Sequence, residues 1–273
     1  MHIEVDGLRL FVDVLSPEYV PVGPSMVRRP TVVCLHGSMN GDYSNVWTLA
    51  NRLTDAACVI VTDRRGNGRS DGGGPDTWRL DRFADDVYEL CQAMGVWHPI
   101  VLGTSYGGFI AQAYAARYPD HPSGLALVST AARFDVEALA KNRDRLDEPR
   151  SPAVVEALQH RDARAIRRRP VDAYPEHAFL LDVDLREQNA AIKCPVLVVS
   201  GTDDPIDQSK RAEELGESIG SGDVHVVRIP DAGHLLDIDA PEETARLLHE
   251  FIDRIGAPAD PWGPGRTPYD ANA

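Results

Sequence analysis

Short apolar runs alternate with amphipathic segments along most of the chain. Six runs are rich in β-branched residues and apolar at nearly every position, which is typical of strands buried on both faces of a parallel sheet. The segments between them repeat apolar residues at three- and four-residue steps, as over 81–95, which predicts amphipathic helices. This alternation predicts a doubly wound α/β domain. The six runs are TVVCLHG, CVIVTDRRG, PIVLGTS, GLALVST, PVLVVSG and DVHVVRI.

The chain opens with a different pattern. Ile3–Val5 and Leu8–Val14 each alternate apolar and polar positions, and the turn residues Asp6-Gly7 lie between them. This arrangement predicts an antiparallel β-hairpin ahead of the parallel sheet. The proline-rich stretch 16–30 that follows is predicted to be a loop.

One long interval and the end of the chain break the rhythm. Residues 133–192 contain no convincing strand, and an insertion of this length over one edge of a sheet is typical of a helical lid. A final helix is predicted to begin after Asp239, its expected N-cap, and to run to about Ile255. The predicted organisation is an α/β core over 1–132 and 193–256, a helical cap (lid) over 133–192 and a flexible tail over 257–273.

Composition narrows the classes of function. The 273 residues carry a formal charge of −14, which would repel phosphate backbones, so we expect no nucleic-acid partner. No run of about 18 apolar residues exists, and the opening MHIEVDGLRL lacks the regions of a signal peptide. We therefore expect no membrane partner and a cytoplasmic location. Widely spaced cysteines argue against a zinc site or a disulfide framework, and they are Cys34, Cys58, Cys91 and Cys194.

A serine lies among glycines at the turn from a predicted strand into a predicted helix. Gly103-Thr104-Ser105-Tyr106-Gly107 matches the pattern G-x-S-x-G in the setting where it forms a nucleophile elbow. Such a turn exposes the serine hydroxyl at the carboxyl edge of the sheet, where α/β folds bind ligands. Ser105 is therefore the predicted nucleophile.

A serine hydroxyl needs an imidazole to take its proton and a carboxylate to orient that imidazole. On this fold the chain order is serine, acid, histidine. His234 follows the last predicted strand and is the only one of the nine histidines in that position. Asp203 and Asp204 both follow the strand before it, and the residues alone leave the choice between them open.

The oxyanion of a tetrahedral intermediate needs two backbone donors. One is expected from the N–H of Tyr106, directly after the predicted nucleophile. The second is expected from the loop after TVVCLHG, where Ser38 is the first choice and Met39 the alternative.

With these residues in place, the chain resembles the α/β-hydrolase superfamily over nearly its whole length. The resemblance implies a mostly parallel, doubly wound sheet with an N-terminal antiparallel hairpin and a short helical lid. In that superfamily the acid usually lies three residues after the glycine of a G-x-x-D segment, which favours Asp204 over Asp203. The segments that carry the resemblance are LHGSMNG, DRRGNGRSD, GTSYGGF, GTDDPI and DAGHLLDIDAPEE.

Within the superfamily, DTWRLDRFADDVYELCQAMGV followed by IVLGTSYGG is most similar to the proline iminopeptidase-like branch, which includes aminopeptidases, esterases and lactonases. The chain departs from the aminopeptidases, which usually have His-Gly-Gly-Pro-Gly where this chain continues from His-Gly into Ser38, and a tryptophan at Tyr106. An aminopeptidase would also need lid carboxylates for the substrate's ammonium group. The available ones are Glu176, Asp182, Asp184 and Glu187.

These observations predict a serine hydrolase without metal or cofactor that cleaves a small carboxylic ester or lactone through an acyl-enzyme on Ser105. His234 would activate the water that hydrolyses it. One alternative is an aminopeptidase of the proline iminopeptidase type. Another, from a different class, is a ligand-binding protein or a lyase on the same fold. The expected partner is a small-molecule substrate, with the chain as a monomer or homodimer.

Overall fold

Ten strands are present in the computed structural model, which describes residues 1–37, 41–134, 155–156, 159, 183–204 and 211–257. Most are short runs of β-branched and aliphatic residues, as the sequence predicts. In chain order they are β1 (His2–Val5), β2 (Leu8–Val14), β3 (Tyr19–Val22), β4 (Ser25–Arg28), β5 (Thr31–Leu35), β6 (Cys58–Thr62), β7 (Ile100–Thr104), β8 (Gly124–Val128), β9 (Val196–Gly201) and β10 (Val224–Ile229).

Eight of these strands form the central sheet, in the order β1-β2-β6-β5-β7-β8-β9-β10. The hairpin β1-β2 is antiparallel and joins β6 in antiparallel register, whereas all pairs from β6 to β10 are parallel. The predicted hairpin and the predicted mostly parallel sheet are both confirmed. Because β7 to β10 are consecutive neighbours, the loops at their carboxyl ends lie side by side.

Helices cover both faces of the sheet. On one face α2 packs its apolar stripe on the core beside α3, which is buried over most of its surface, and on the other face α1 and α6 pack their apolar stripes on the strands. Among the helices of the described residues, none has both the length and the apolar character needed to cross a membrane. The helices are α1 (Ser44–Arg52), α2 (Leu80–Met94), α3 (Tyr106–Arg117), α4 (Ala212–Ser218), α5 (Leu236–Asp239) and α6 (Pro241–Ile255).

The stretch 16–30 was predicted to be a loop, but it contains two strands. Its strands β3 and β4 pair as a separate two-stranded ribbon that turns at Gly23, which has a φ of +60°. Most side chains of the ribbon are exposed, including Val22 and Met26. A strand with no buried face needs no alternation of apolar and polar residues, so its sequence shows no strand pattern.

Two further predictions are corrected. Strand β10 is not buried on both faces, because it is the edge strand and exposes residues such as Val226. Asp239 is not the N-cap of the last helix, which begins at Pro241 with Ala240 at the cap position. Asp239 instead ends the short helix α5, and its carboxylate accepts a hydrogen bond from the Gly233 N–H at 3.1 Å.

The predicted cap lies mostly outside the described residues. Within its described residues, Arg133 and Asp184 form an isolated antiparallel bridge. Asn189, in a 3-10 turn that follows, is fully buried and donates to Gln112 Oε1 on α3 at 2.9 Å. The predicted tail lies outside the described residues from 258 onward. The cap and tail boundaries remain predictions.

A buried ion pair fastens the loop after β6 to α2. The side chain of Arg65 is 1% exposed and donates two hydrogen bonds of 2.7 Å to the carboxylate of Asp86, which is 6% exposed. Arg82 donates to the same carboxylate at 2.9 Å. In this geometry both buried charges are compensated. Removal of one partner would leave the other charge in the core without its main counter-charge.

We expect Asp86→Ala to lower the free energy of unfolding by about 3–5 kcal/mol, because buried Arg65 then keeps only a 3.5 Å contact with the exposed carboxylate of Asp6. The control is Asp81→Ala on the same helix, whose pair with Arg79 is exposed and should contribute less than about 1 kcal/mol. Urea unfolding at neutral pH measures both. Equal losses in the two variants would contradict the role assigned to burial.

Candidate active site

Ser105 occupies a strained turn between β7 and α3. Its φ of +49° and ψ of −116° are unfavourable for any residue with a Cβ. Its N–H donates to the Val128 carbonyl on β8 at 2.9 Å, and its own carbonyl accepts from the Gly108 N–H at 2.9 Å. Neighbouring strand and helix thus hold the turn in place, with the side chain at the carboxyl edge of the sheet.

The glycines around Ser105 are required by close packing. A Cβ on Gly103 would overlap the carbonyl oxygen of Gly107, and a Cβ on Gly107 would overlap the carbonyl oxygen of Leu35 on β5. Neither glycine has a positive φ. The first turn of α3 can therefore lie directly on the strands only because these positions lack side chains.

The side chains of Ser105, His234 and Asp204 form one hydrogen-bonded series. Ser105 Oγ lies 3.0 Å from His234 Nε2, and His234 Nδ1 lies 2.8 Å from Asp204 Oδ2. Because an ionised carboxylate only accepts, the His234 Nδ1–H donates to it, which leaves Nε2 to accept from the serine hydroxyl. The Asp204 side chain has no exposed surface, and that of His234 is 14% exposed.

The rival carboxylate, Asp203, is exposed, and the described hydrogen bond of His234 Nδ1 goes to Asp204 and not to it. It accepts instead from the hydroxyl of Thr202 at 3.2 Å, while its N–H donates to the Ala232 carbonyl at 2.9 Å. That backbone bond ties the loop after β9 to the loop after β10. The structure therefore brings Asp204, and not Asp203, into the series.

The candidate oxyanion donors are only partly described. Tyr106 is the first residue of α3, where backbone N–H groups point beyond the helix end. Gly37 packs against the elbow so closely that a Cβ there would lie 3.0 Å from Ser105 Cβ. Ser38 and Met39, the candidates for the second donor, lie outside the described residues.

His36 is a site residue that the sequence reasoning missed. Its Nε2 accepts from the Arg64 N–H at 3.3 Å, so the other nitrogen, Nδ1, carries the proton and donates to the Gly37 carbonyl at 2.8 Å. Burial, reinforced by the charge of Arg64, lowers the pKa of His36 to about 3. His36 is therefore neutral at physiological pH and fixes the backbone next to Ser105. The feature of the sequence that could have identified His36 is its position directly after the predicted strand β5.

A cavity of about 270 Å³ opens beside Ser105 and His234. It lies between the start of α1, the carboxyl ends of β7 and β8, and the segment that follows His234. Its polar lining residues besides Ser105 and His234 are Asn45, Thr104, Ser129 and Asp237. A small molecule in this space would contact both reactive side chains.

Comparison with known proteins identifies the family. The family model of the α/β hydrolase fold matches residues 30–169. The chain belongs to the α/β-hydrolase family. It is 31% identical over 250 residues to the pimeloyl-[acyl-carrier protein] methyl ester esterase of Chromobacterium violaceum, covering 82% of this chain and 94% of that one. It is 30% identical over 260 residues to a monoacylglycerol lipase of Mycolicibacterium smegmatis, covering 84% and 87%.

Among solved structures, the enol-lactonase of Burkholderia xenovorans LB400 has the same fold. The TM-score is 0.75 at 23% identity, and the match covers 93% of this chain and all of that chain. The resemblance stated from the motifs is thus confirmed at the level of the family, and the chain is a hydrolase of the α/β-hydrolase fold.

The carboxylates named for an aminopeptidase do not form a site in the described part of this hydrolase. Asp184 accepts hydrogen bonds from Arg186, one of them at 2.9 Å, and Glu187 is exposed. Neither lines the cavity beside Ser105. Glu176 and Asp182 lie outside the described residues.

The neutral His36 predicts a pH dependence of stability. In the unfolded chain a histidine binds a proton below about pH 6.5, whereas folded His36 stays neutral down to about pH 3. Acidification from pH 7 to 5 therefore favours the unfolded state. We expect the free energy of unfolding to fall more over this range in the wild type than in His36→Gln, as measured by urea unfolding at both pH values.

His249→Gln provides a control of opposite sign. Burial opposes protonation of His249, but its hydrogen bonds to Asp55 and to the Ala245 carbonyl, together with the charges of Asp55 and Asp253, outweigh burial and raise the pKa. Protonation of His249 therefore stabilises the folded protein as the pH falls. Without His249, the free energy of unfolding should fall more steeply between pH 7 and 5. The same slope in His36→Gln as in the wild type would contradict the neutral state of His36.

Proposed function

We propose that this α/β hydrolase cleaves small carboxylic esters or lactones through an acyl-enzyme on Ser105. The observation that carries the proposal is the hydrogen-bonded series from Ser105 Oγ through His234 to the buried carboxylate of Asp204. A serine in a strained elbow at a sheet edge, with an imidazole on its hydroxyl, has the geometry of an activated nucleophile.

In the first half of the reaction, His234 Nε2 takes the proton of Ser105 as Oγ attacks the substrate's carbonyl carbon. The carboxylate of Asp204 stabilises the imidazolium that forms, and it keeps the ring in the required tautomer. His234 then gives the proton to the departing alkoxide, which leaves an acyl group on Ser105. A water molecule, deprotonated by the same imidazole, attacks the acyl-enzyme and releases the acid.

The negative charge on the tetrahedral intermediate needs donors that are in place beforehand. We assign this role to the Tyr106 N–H and to the N–H of Ser38, with Met39 as the alternative. The Ser38 N–H shares a peptide plane with the Gly37 carbonyl. The hydrogen bond from His36 holds this carbonyl, which belongs to the described part of the chain.

The relatives favour an ester or lactone over a peptide. The two similar curated proteins are named as a methyl ester esterase and a lipase, and both match the chain along most of its length. The similarity to the lactonase structure supports the fold and gives no evidence about the substrate. In the core-and-cap arrangement that we propose, residues 133–192 would cover the site, with the bridge between Arg133 and Asp184 at their base.

The first test compares p-nitrophenyl butyrate with proline p-nitroanilide, using the wild type and Ser105→Ala. We expect the ester to be the better substrate and its hydrolysis by the variant to fall by about 10⁴–10⁶-fold, because the hydroxyl that contacts His234 Nε2 is removed. A dominant anilide rate would favour an aminopeptidase. Ester hydrolysis that survives in Ser105→Ala would contradict the assignment of the nucleophile.

The second test separates the two neighbouring aspartates. Asp204→Asn preserves the shape of the side chain but loses the charge that fixes the His234 tautomer, and we expect kcat to fall by about 10⁴-fold. Asp203→Asn is the matched control, because Asp203 is exposed and accepts only from Thr202 in the described chain. We expect it to stay within about twofold of the wild type. Similar losses in both variants would contradict the assignment of Asp204.

A further inference from the structure

Ser129 presents a buried hydroxyl beside the reactive side chains. The residue is 2% exposed, and its Oγ has no hydrogen-bond partner in the described part of the chain. It directly follows β8, whose last residue, Val128, is paired with Thr104, so Ser129 and Ser105 are neighbours at the sheet edge. Burying a hydroxyl without a partner costs free energy, which a bound ligand with a matching group would recover.

The backbone of Ser129 is strained as well. Its φ is +50°, which is uncommon for a residue with a Cβ, and its N–H donates to the Val199 carbonyl at 2.8 Å. On the other side, the preceding residue accepts the hydrogen bond from the Ser105 N–H. Strain of this kind persists only where surrounding contacts enforce it, and it is concentrated at ligand sites.

An unsatisfied buried hydroxyl alone does not define a site. Ser200, on the neighbouring strand β9, is also fully buried and its Oγ also lacks a partner among the described residues. Ser200 does not line the catalytic cavity, whereas Ser129 does. Position beside Ser105 and His234 therefore distinguishes Ser129, and Ser200 offers a matched control.

The chemistry of the cavity indicates what it can hold. Asn45, Thr104 and Ser129 carry groups that both donate and accept hydrogen bonds, and Asp237 is the one carboxylate among the described lining residues. No lysine or arginine is among those lining residues. A hydroxyl group, which also donates and accepts, matches this lining, whereas a carboxylate would meet a like charge without a cation to offset it.

The position of His234 indicates which part of the ester enters. The segment from His234 to Asp237 forms one wall of the cavity, and His234 is the group that would protonate the departing oxygen. The alcohol part of the ester therefore lies on this side. We propose that the cavity binds an uncharged, hydroxyl-bearing alcohol part of the substrate and that Ser129 Oγ is its hydrogen-bond partner. This inference rests on the proposed function.

The test uses 2-hydroxyethyl butyrate and propyl butyrate, which differ only by a hydroxyl in place of a methyl group. We expect the wild type to favour the hydroxyl ester in kcat/KM by about five- to tenfold, as one neutral hydrogen bond allows. In Ser129→Ala this ratio should fall to about one. Ser129→Gly removes the hydroxyl while tolerating the positive φ, so it keeps the test valid if the alanine variant folds poorly.

Ser200→Ala should keep the wild-type ratio, since it removes an equally buried hydroxyl away from the cavity. Equal kcat/KM values for the two esters in the wild type would overturn the inference. So would a loss of the preference in Ser200→Ala as large as in Ser129→Gly. The butyrate ester of 3-hydroxypropanoate, which carries a carboxylate, should react more slowly than either neutral ester. A faster reaction would overturn the expected exclusion of anionic alcohols.

A binding measurement separates this inference from the proposed function. In a Ser105→Ala background, calorimetry should detect tighter binding of 2-hydroxyethyl butyrate than of propyl butyrate, and a further Ser129→Gly should remove the difference. If this preference is found but turnover does not depend on Ser105, the proposed function fails and the binding role of Ser129 stands. If turnover depends on Ser105 but neither assay shows the preference, only the role of Ser129 fails.

Discussion

The strained turn at Ser105 is the constraint on which the site depends. Its positive φ is held by a hydrogen bond to Val128 on one side and by the first turn of α3 on the other. That turn can lie on the strands only because Gly103 and Gly107 lack side chains. The proposed nucleophile is thus positioned by the packing of α3 on the neighbouring strands.

The surrounding polar groups restrict the site in a second way. His36 is kept neutral by burial and holds the Gly37 carbonyl, and the buried pair of Arg65 and Asp86 fastens the loop after β6 to α2. The loops after β9 and β10 are joined through the Asp203 N–H. These contacts hold the loops of the protein in place, and none of them is a contact with substrate. The choice of ligand therefore depends on the cavity beside Ser105.

Much of the fold followed from the sequence because buried parallel strands and amphipathic helices leave strong patterns. The predicted strands from β5 to β9 are apolar at nearly every position, and the motif around Ser105 has mechanical meaning at a turn from strand to helix. The exposed ribbon β3-β4 and the edge strand β10 were missed or misjudged, since exposed faces impose no apolar pattern. The residues alone could not separate Asp204 from Asp203, because only the course of the loop decides which carboxylate meets His234.

The central claim is that an acyl group is carried on Ser105, and mass spectrometry of acid-quenched protein tests it most directly. Protein quenched during turnover of p-nitrophenyl butyrate should contain one butyryl group, located on the peptide that includes Ser105 and absent from Ser105→Ala. Turnover that leaves this peptide unmodified, or that places the acyl group on another residue, would contradict the account.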